Sequence, residues 1–221
     1  MLDFEFSLPT KVIFGRGAQR QIPAILKKEH VQKVLLHSYE TGQVRKIPVY
    51  EEIKQMLAEN GIAFVEFLGV QPNPTLSFVA KGIELCRKEG VDFILAVGGG
   101  SVIDTAKAIA YGLAEPEKDV WELFDHTRMA RKCIPVASVL SIAAAGSETS
   151  KGCVITNEKT KEKRAYDDNL ARTKFAIMNP EYTKSLPDYQ TESGCTDIMM
   201  HTMERYFTNG GNMEITDAFA E

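Results

Sequence analysis

Short apolar runs alternate with amphipathic stripes along most of the chain, and the two periods mark out its elements. Lys11-Val12-Ile13-Phe14 reads as a strand closed by Gly15. Ala18 to Lys28 carries Ile22, Ile25 and Leu26 at helical spacing. Val34 to Ser38 is a second strand. Val49 to Asn60 sets Ile53, Met56 and Leu57 on one face of a helix that Asn60-Gly61 stops. Phe64 to Leu68 is a third strand, and Gln71-Pro72-Asn73-Pro74 then breaks the chain before a helix from Thr75 to Glu89. Phe93-Ile94-Leu95-Ala96-Val97 is apolar throughout, as expected of a strand covered on both faces.

This alternation predicts an α/β fold with a parallel sheet and helices laid over it. Ligands of such sheets bind beyond the carboxyl ends of the strands, which directs attention to the loops after Ser38, Leu68, Val97 and Val139. After the strand Ile134 to Val139 the pattern changes. Val154-Ile155-Thr156 and Phe175 to Met178 flank a charged stretch, Glu158 to Arg164, that reads as a solvated hairpin or loop. From Thr183 onward the chain turns helical, with Asp188 placed to cap a helix toward Phe207 and another starting near Met213. The expected organisation is an α/β domain over 1–180 and the beginning of an all-helical domain over 181–221, incomplete as it stands.

Composition adds exclusions. At 221 residues, 44% hydrophobic and 25% charged, the chain is an ordinary globular sequence, which rules against disorder and fibrous repeats. A formal charge of −4 removes the usual electrostatic argument for nucleic acid or an anionic membrane. The opening residues lack a signal-peptide pattern, and no apolar run reaches the roughly 18 residues needed to span a bilayer. Cys86, Cys133, Cys153 and Cys195 are widely spaced, so they are expected to be buried free thiols in a cytoplasmic protein.

Two constellations carry chemistry. Gly98-Gly99-Gly100-Ser101-Val102-Ile103-Asp104 joins the buried strand to an Ala-rich helix, Thr105 to Tyr111. Glycines admit a bulky anion close to the backbone, and a helix start offers free N–H groups and a positive dipole end. A pyrophosphate suits that turn; as a plain turn, Ser101 and Asp104 would instead form a capping box. A second small-residue run, Ser141 to Thr149, follows another strand and could face the same crevice. Asp197 and His201 stand at i and i+4 on one helix face, either a surface pair or two donors for a divalent transition metal. Met199, Met200 and Met203 are expected in the core. His30, His37 and His126 show no ligand spacing.

Together these motifs resemble the iron-containing alcohol dehydrogenases, especially their butanol dehydrogenase-like branch. The resemblance covers nearly the whole chain. It is carried by Pro9 to Gly17, Pro72-Asn73-Pro74, Gly98 to Asp104, Ala145-Gly146-Ser147-Glu148 and Asp197-Ile198-Met199-Met200-His201. It implies an N-terminal dinucleotide-binding domain, a C-terminal helical domain and a metal in the cleft between them. Gly99, Gly100 and Ser101 would hold the pyrophosphate of NAD(P), with Ser38, Asn73, Asp104, Ser141, Ser147 and Lys163 also at the cofactor. Asp197 and His201 match the first two metal ligands, for Fe or Zn. The implied reaction moves a hydride between NAD(P) and a primary alcohol or aldehyde such as butanol or butyraldehyde, with the metal as Lewis acid. A homodimer is implied as well.

Two departures qualify that picture. The family's two further histidine ligands do not occur in this chain, so the 221 residues alone are expected to bind cofactor, hold metal weakly and turn over little alcohol. The segment His37-Ser38-Tyr39-Glu40-Thr41-Gly42 stands where the butanol branch is usually glycine-rich. NAD-preferring members place an acid at the position of Ser38; its absence, with Arg45 and Lys46 available for a 2′-phosphate and Glu40 opposing, leans slightly to NADP. Alternatives are a glycerol dehydrogenase or dehydroquinate synthase-like relative, and a non-catalytic nucleotide-binding remnant.

Overall fold

The computed structural model describes residues 7–39 and 48–207, together with Glu214, Asp217 and Ala218. The second half of the 37–42 segment, with Glu40, Arg45 and Lys46, and the helix expected near Met213 lie outside the described residues, Glu214, Asp217 and Ala218 apart. The chain divides into two compact units. One runs Pro9–Thr183, and the other contains the helix that follows Lys184.

In chain order the first unit comprises β1 (Lys11–Phe14), α1 (Ile22–Lys28), β2 (Val34–Ser38), α2 (Pro48–Glu59), β3 (Phe64–Leu68), α3 (Leu76–Glu89), β4 (Phe93–Gly98) and α4 (Gly100–Ala114). There follow α5 (Trp121–Phe124), β5 (Val136–Leu140), β6 (Gly152–Asn157), β7 (Glu162–Asp167) and β8 (Phe175–Met178). Six strands pair in the order β1-β8-β5-β4-β2-β3, every neighbour parallel, while β6 and β7 form an antiparallel hairpin. The expected parallel α/β sheet is therefore present, and the charged stretch lies around the turn of that hairpin.

Side-chain alternation along β2 and β4 divides the interior into two cores. Leu35, Ile94 and Ala96 face one side with Val79, Ile83, Ile103 and Ile109 of α3 and α4. Leu36, Leu95 and Val97 face the other with Ile22, Leu26, Ile53 and Leu57 of α1 and α2. Coverage on both sides explains why β4 is buried along its whole length. Helices α3 and α4 touch through two reciprocal notches. A Cβ on Gly82 would overlap Ile109, and one on Gly112 would overlap Ile83.

Helix ends differ from expectation in instructive ways. The segment from Ala18 divides into a 3₁₀ turn, Ala18–Gln21, and α1, because Pro23 suits a helix start rather than an interior. Thr75 caps α3, accepting from Phe78 N, and Gly90 ends that helix in the left-handed region at φ 68°. Helix α4 begins at Gly100, five residues before the expected Thr105, so most of the glycine motif is itself the helix's first turn. In the second unit α6 spans Asp188–Tyr206; Pro187 is its N-cap and Asp188 its first helical residue rather than its cap. α6 buries no residue. Met199, Met200 and Met203 are 62%, 57% and 43% exposed, not core, because apolar residues at 198, 199, 200 and 203 spread over more than one face of a helix with no described neighbour covering it. Cys86 and Cys153 are buried and free as expected, but Cys133 is partly exposed and Cys195, on α6, is exposed. Among the described residues no helix is long and apolar enough to cross a membrane.

His37 is the histidine with a structural part. It is fully buried on β2, its Nδ1 lies 2.7 Å from the Phe67 carbonyl, and its ring stacks on Phe67 at 5.4 Å. Nε2 has no partner. Burial lowers its pKa from 6.5 to about 4, the Phe67 contact opposing. The folded chain thus favours the neutral ring: this stability is intact above pH 6.5 and is lost as pH falls toward 4. By linkage about 3 kcal/mol is at stake. Urea unfolding followed from pH 7 to 4 should show that loss, and His37→Phe should flatten it; an unchanged slope in the variant would assign the acid sensitivity elsewhere.

Candidate functional site

Strand β4 runs directly into the glycine turn at the carboxyl edge of the sheet. Gly99 is the N-cap of α4, extended at φ −100° and ψ −162°, and no side chain caps it. The Ser101–Asp104 capping box is therefore not formed. The helix ladder opens with Val102 N and Ile103 N donating to Gly99 O, both at 3.1 Å. The amides of Gly100 and Ser101 precede that ladder, as first-turn amides do, and are the groups a phosphate would use.

The three glycines have different reasons. A Cβ on Gly98 would lie 2.5 Å from Val102 Cγ2 and 3.0 Å from Tyr39 Cε2. One on Gly99 would lie 2.7 Å from Ile142 Cγ2 and 3.2 Å from the Tyr39 hydroxyl. These two glycines are dictated by the protein's own packing. At Gly100 the nearest atom would be Ser147 Oγ, 3.6 Å away, an ordinary contact. Gly100 is thus the one of the three that packing does not require, and it is the position where a side chain would enter the cradle.

One turn into α4 lies the device that brings the second small-residue run to the first. Asp104, mostly buried, accepts from Ser147 Oγ at 2.9 Å and from Val154 N at 3.1 Å. Lys107 is fully buried and donates to the carbonyls of Ser147, Ser150 and Gly152 at 2.8–2.9 Å. Burial raises the Asp104 pKa, with its two hydrogen bonds and Lys107 opposing. Burial lowers that of Lys107, with Cys153 and then Asp104 opposing. The two loops thus meet, Ser141 N also donating to Gly98 O at 3.2 Å. Lys107 was missed in the sequence, although a single lysine among Val102, Ile103, Ala106, Ala108 and Ile109 is a legible signal: every neighbour is buried.

A third group gathers where α3 starts. Lys163 Nζ, on β7, donates to Asn73 Oδ1 at 2.7 Å, across 90 residues of sequence. Asn73 is left-handed at φ 58°. Thr156 N donates to Pro74 O at 2.9 Å, and Ser77 hydrogen-bonds Glu158, so the Pro72–Pro74 loop is fastened to the hairpin. Thr156 Oγ1, buried beside this group, has no partner among the described residues. Ser38 is placed otherwise. Its hydroxyl is buried and donates to Val97 O at 2.7 Å, bonding β2 to β4.

On α6, His201 Nε2 stands 3.6 Å from Asp197 Oδ2, and both side chains are more than half exposed. A carboxylate and an imidazole on adjacent turns suit two positions of a transition-metal site. Among the described residues no group of three or more His, Cys, Asp or Glu is arranged to hold a metal.

Residues 9–180 match the family described as iron-containing alcohol dehydrogenase. The chain is 41% identical over 221 residues to NADH-dependent butanol dehydrogenase A of Clostridium acetobutylicum, covering all of this chain and 56% of that protein. It is 36% identical over 227 residues to the NADPH-dependent aldehyde reductase YqhD of Escherichia coli, again covering all of this chain and 56% of that protein. The crystal structure of NADH-dependent butanol dehydrogenase A from Thermotoga maritima superposes with a TM-score of 0.90 at 41% identity, covering 99% of this chain and 54% of that one. The chain spans about half the length of the curated relatives it matches.

Replacing Lys107 by Met would leave three carbonyls in the interior without their donor and Asp104 without its cation. Each unsatisfied group costs about 1–3 kcal/mol, not additively, and breaking a buried charged network costs about 3–5 kcal/mol. Lys107→Met should therefore lose about 3–5 kcal/mol in urea denaturation. A loss below about 1 kcal/mol would mean that water or a neighbouring donor takes over the lysine's role.

Proposed function

The chain belongs to the iron-containing alcohol dehydrogenase family, and from that premise we propose that it forms the NAD(P)-binding part of an oxidoreductase acting on primary alcohols or aldehydes. The observation that carries the reading is the convergence of three separate segments on one sheet edge. The glycine turn and the 141–151 loop are held together by Asp104 and Lys107, and Asn73 is held by Lys163. In this proposal the amides of Gly100 and Ser101 take the pyrophosphate, and Ser141 and Ser147 border it. Asn73 and Lys163, exposed and already paired, offer an amide and an ammonium to the polar groups of the rest of the dinucleotide. Asp104 acts behind the loop and not on the ligand. The cradle fits such a group, since a Cβ at Gly100 would make one ordinary contact, with Ser147 Oγ at 3.6 Å, and no overlap.

The domain division near residue 180, with the helical part incomplete, belongs to the same proposal. Asp197 and His201 would hold a divalent metal, Fe or Zn, as two of its ligands. The chemistry such a metal supplies when bound is Lewis acidity toward the alcohol or carbonyl oxygen. Butanol or butyraldehyde is the proposed substrate, by similarity to relatives so named. The slight preference for NADP rests on the absence of an acid at Ser38. Among the relatives, one named NADH-dependent and one named NADPH-dependent both match the full chain.

Titration of NADH and NADPH by energy transfer from Trp121 tests the cofactor assignment. Gly100→Val should weaken binding at least about tenfold, the scale of lost phosphate contacts at charge-assisted strength, while thermal stability stays near wild type. Equal affinity in the two proteins would remove the cradle from the site.

A homodimer is proposed on an independent observation. Among the described residues β1 pairs with β8 alone and so forms one sheet edge, with Val12 44% and Phe14 73% exposed on it. An apolar, unpaired edge invites pairing with another copy. Light scattering should find a dimer at micromolar concentration and a monomer for Phe14→Asp; identical masses would reject this edge as the interface.

A further inference from the structure

The hairpin of β6 and β7 is seated in the interior at one end only. Cys153, Ile155 and Tyr166 are buried, whereas residues 158–161 are exposed. Lys159 N donates to Asn157 Oδ1 at 3.0 Å, and Lys161, left-handed at φ 57°, completes the turn. Thr156 and Lys163 oppose each other directly across the hairpin, so their side chains share a face. On that face Lys163 reaches Asn73, while the Thr156 amide is bonded to Pro74. The tip beyond them is tied to α3 by Glu158, whose carboxylate accepts from Ser77 Oγ and, at 3.3 Å, from Ser77 N. The helix's own capping bond, from Phe78 N to Thr75 Oγ1, is long at 3.4 Å. Glu158 is thus an acid brought by another segment to a helix N-terminus, where the dipole favours negative charge.

We propose that Glu158 is a positioning residue for the dinucleotide: by fastening the hairpin tip to the start of α3, it fixes where β7 presents the Lys163 ammonium. This rests on the cofactor reading given above, in which Asn73 and Lys163 meet the ligand beyond its pyrophosphate, and it names what sets their geometry. A lysine ammonium rides on a flexible four-carbon stem, so its placement is only as good as that of its backbone. Holding the backbone before the ligand arrives reduces the ordering cost of binding. The bond from Ser77 Oγ, chiefly, holds the Glu158 carboxyl below its ordinary range, so the tie is charge-assisted at neutral pH. The sign of the effect separates this role from a bystander's. Deleting a merely nearby negative charge would strengthen the binding of an anionic ligand, whereas deleting an anchor weakens it.

The test titrates NADPH and, separately, inorganic pyrophosphate into wild type, Glu158→Ala, Ser77→Ala, Lys163→Met and the double variant Glu158→Ala/Lys163→Met. Glu158→Ala should weaken NADPH about threefold to tenfold, the size of one hydrogen bond, and leave pyrophosphate unchanged. Ser77→Ala, which keeps the carboxylate and removes its hydroxyl donor, should weaken NADPH in the same direction. With Lys163 already replaced, removing Glu158 should cost nothing further, because the acid acts only through that lysine. Unchanged or tighter NADPH binding by Glu158→Ala overturns the inference and leaves the cofactor site in place. So does an equal loss for pyrophosphate, or a loss that persists in the Lys163→Met background. If wild type binds neither probe, the cofactor reading itself fails and the positioning role falls with it.

Discussion

The carboxyl edge of this sheet depends on a carboxylate and an ammonium group, Asp104 and Lys107, carried into the interior by a single turn of α4. Taking two charges out of water is expensive, and it is offset here by satisfying nearly every atom: a serine hydroxyl and a strand amide for the acid, three carbonyls for the base. What the arrangement contributes is specificity of shape. The loop from Ser141 to Ser150 is rich in small residues and has little apolar surface with which to hold itself down. A buried ammonium bonded to its carbonyls and a buried carboxylate bonded to its Ser147 hydroxyl give it one conformation, and that conformation brings Ser147 alongside Gly100. The hairpin of β6 and β7 is fastened through Val154 by the same acid, and it in turn carries Lys163 to Asn73.

The larger plan was legible in the sequence because it rests on periodicity. The continuous apolar run of β4, the helical stripe of α2 and the Pro-Asn-Pro break before α3 each have a physical signature that local sequence displays. The glycine turn was also legible, although its reason was only partly so. Gly98 and Gly99 answer to Val102, Ile142 and Tyr39, contacts between residues that no spacing rule relates. The family resemblance singled out Asn73 and Lys163 separately, and their pairing across 90 residues is displayed by no local pattern. The hydroxyl of Ser38 is likewise answered from a distance, by the Val97 carbonyl on a neighbouring strand.

Helix α6 marks where reading by composition fails. Methionines at 199, 200 and 203 have the hydrophobicity of core residues, and whether they are buried is decided by what lies over the helix, which periodicity within the helix cannot supply. The apolar residues of α6 therefore remain on the surface of its unit, beside the Asp197–His201 pair. Large exposed apolar areas of this kind are a mark of surfaces that engage another body.

The paired notches at Gly82 and Gly112 have a consequence beyond packing. Each of the two helices that meet there begins at the candidate site: α3 just after Asn73, α4 at the glycine turn. From Gly100 to Gly112 is about 18 Å of helix at 1.5 Å per residue. Two stiff rods pinned together along their length behave as a pair of callipers, whose tips can separate only if the pin loosens. The gap between the two helix starts is thereby gauged by isoleucine side chains seated against bare backbone, deep in the interior and remote from any bound molecule. Divergence among close relatives in how wide a ligand they grip can accordingly originate at positions no ligand ever touches.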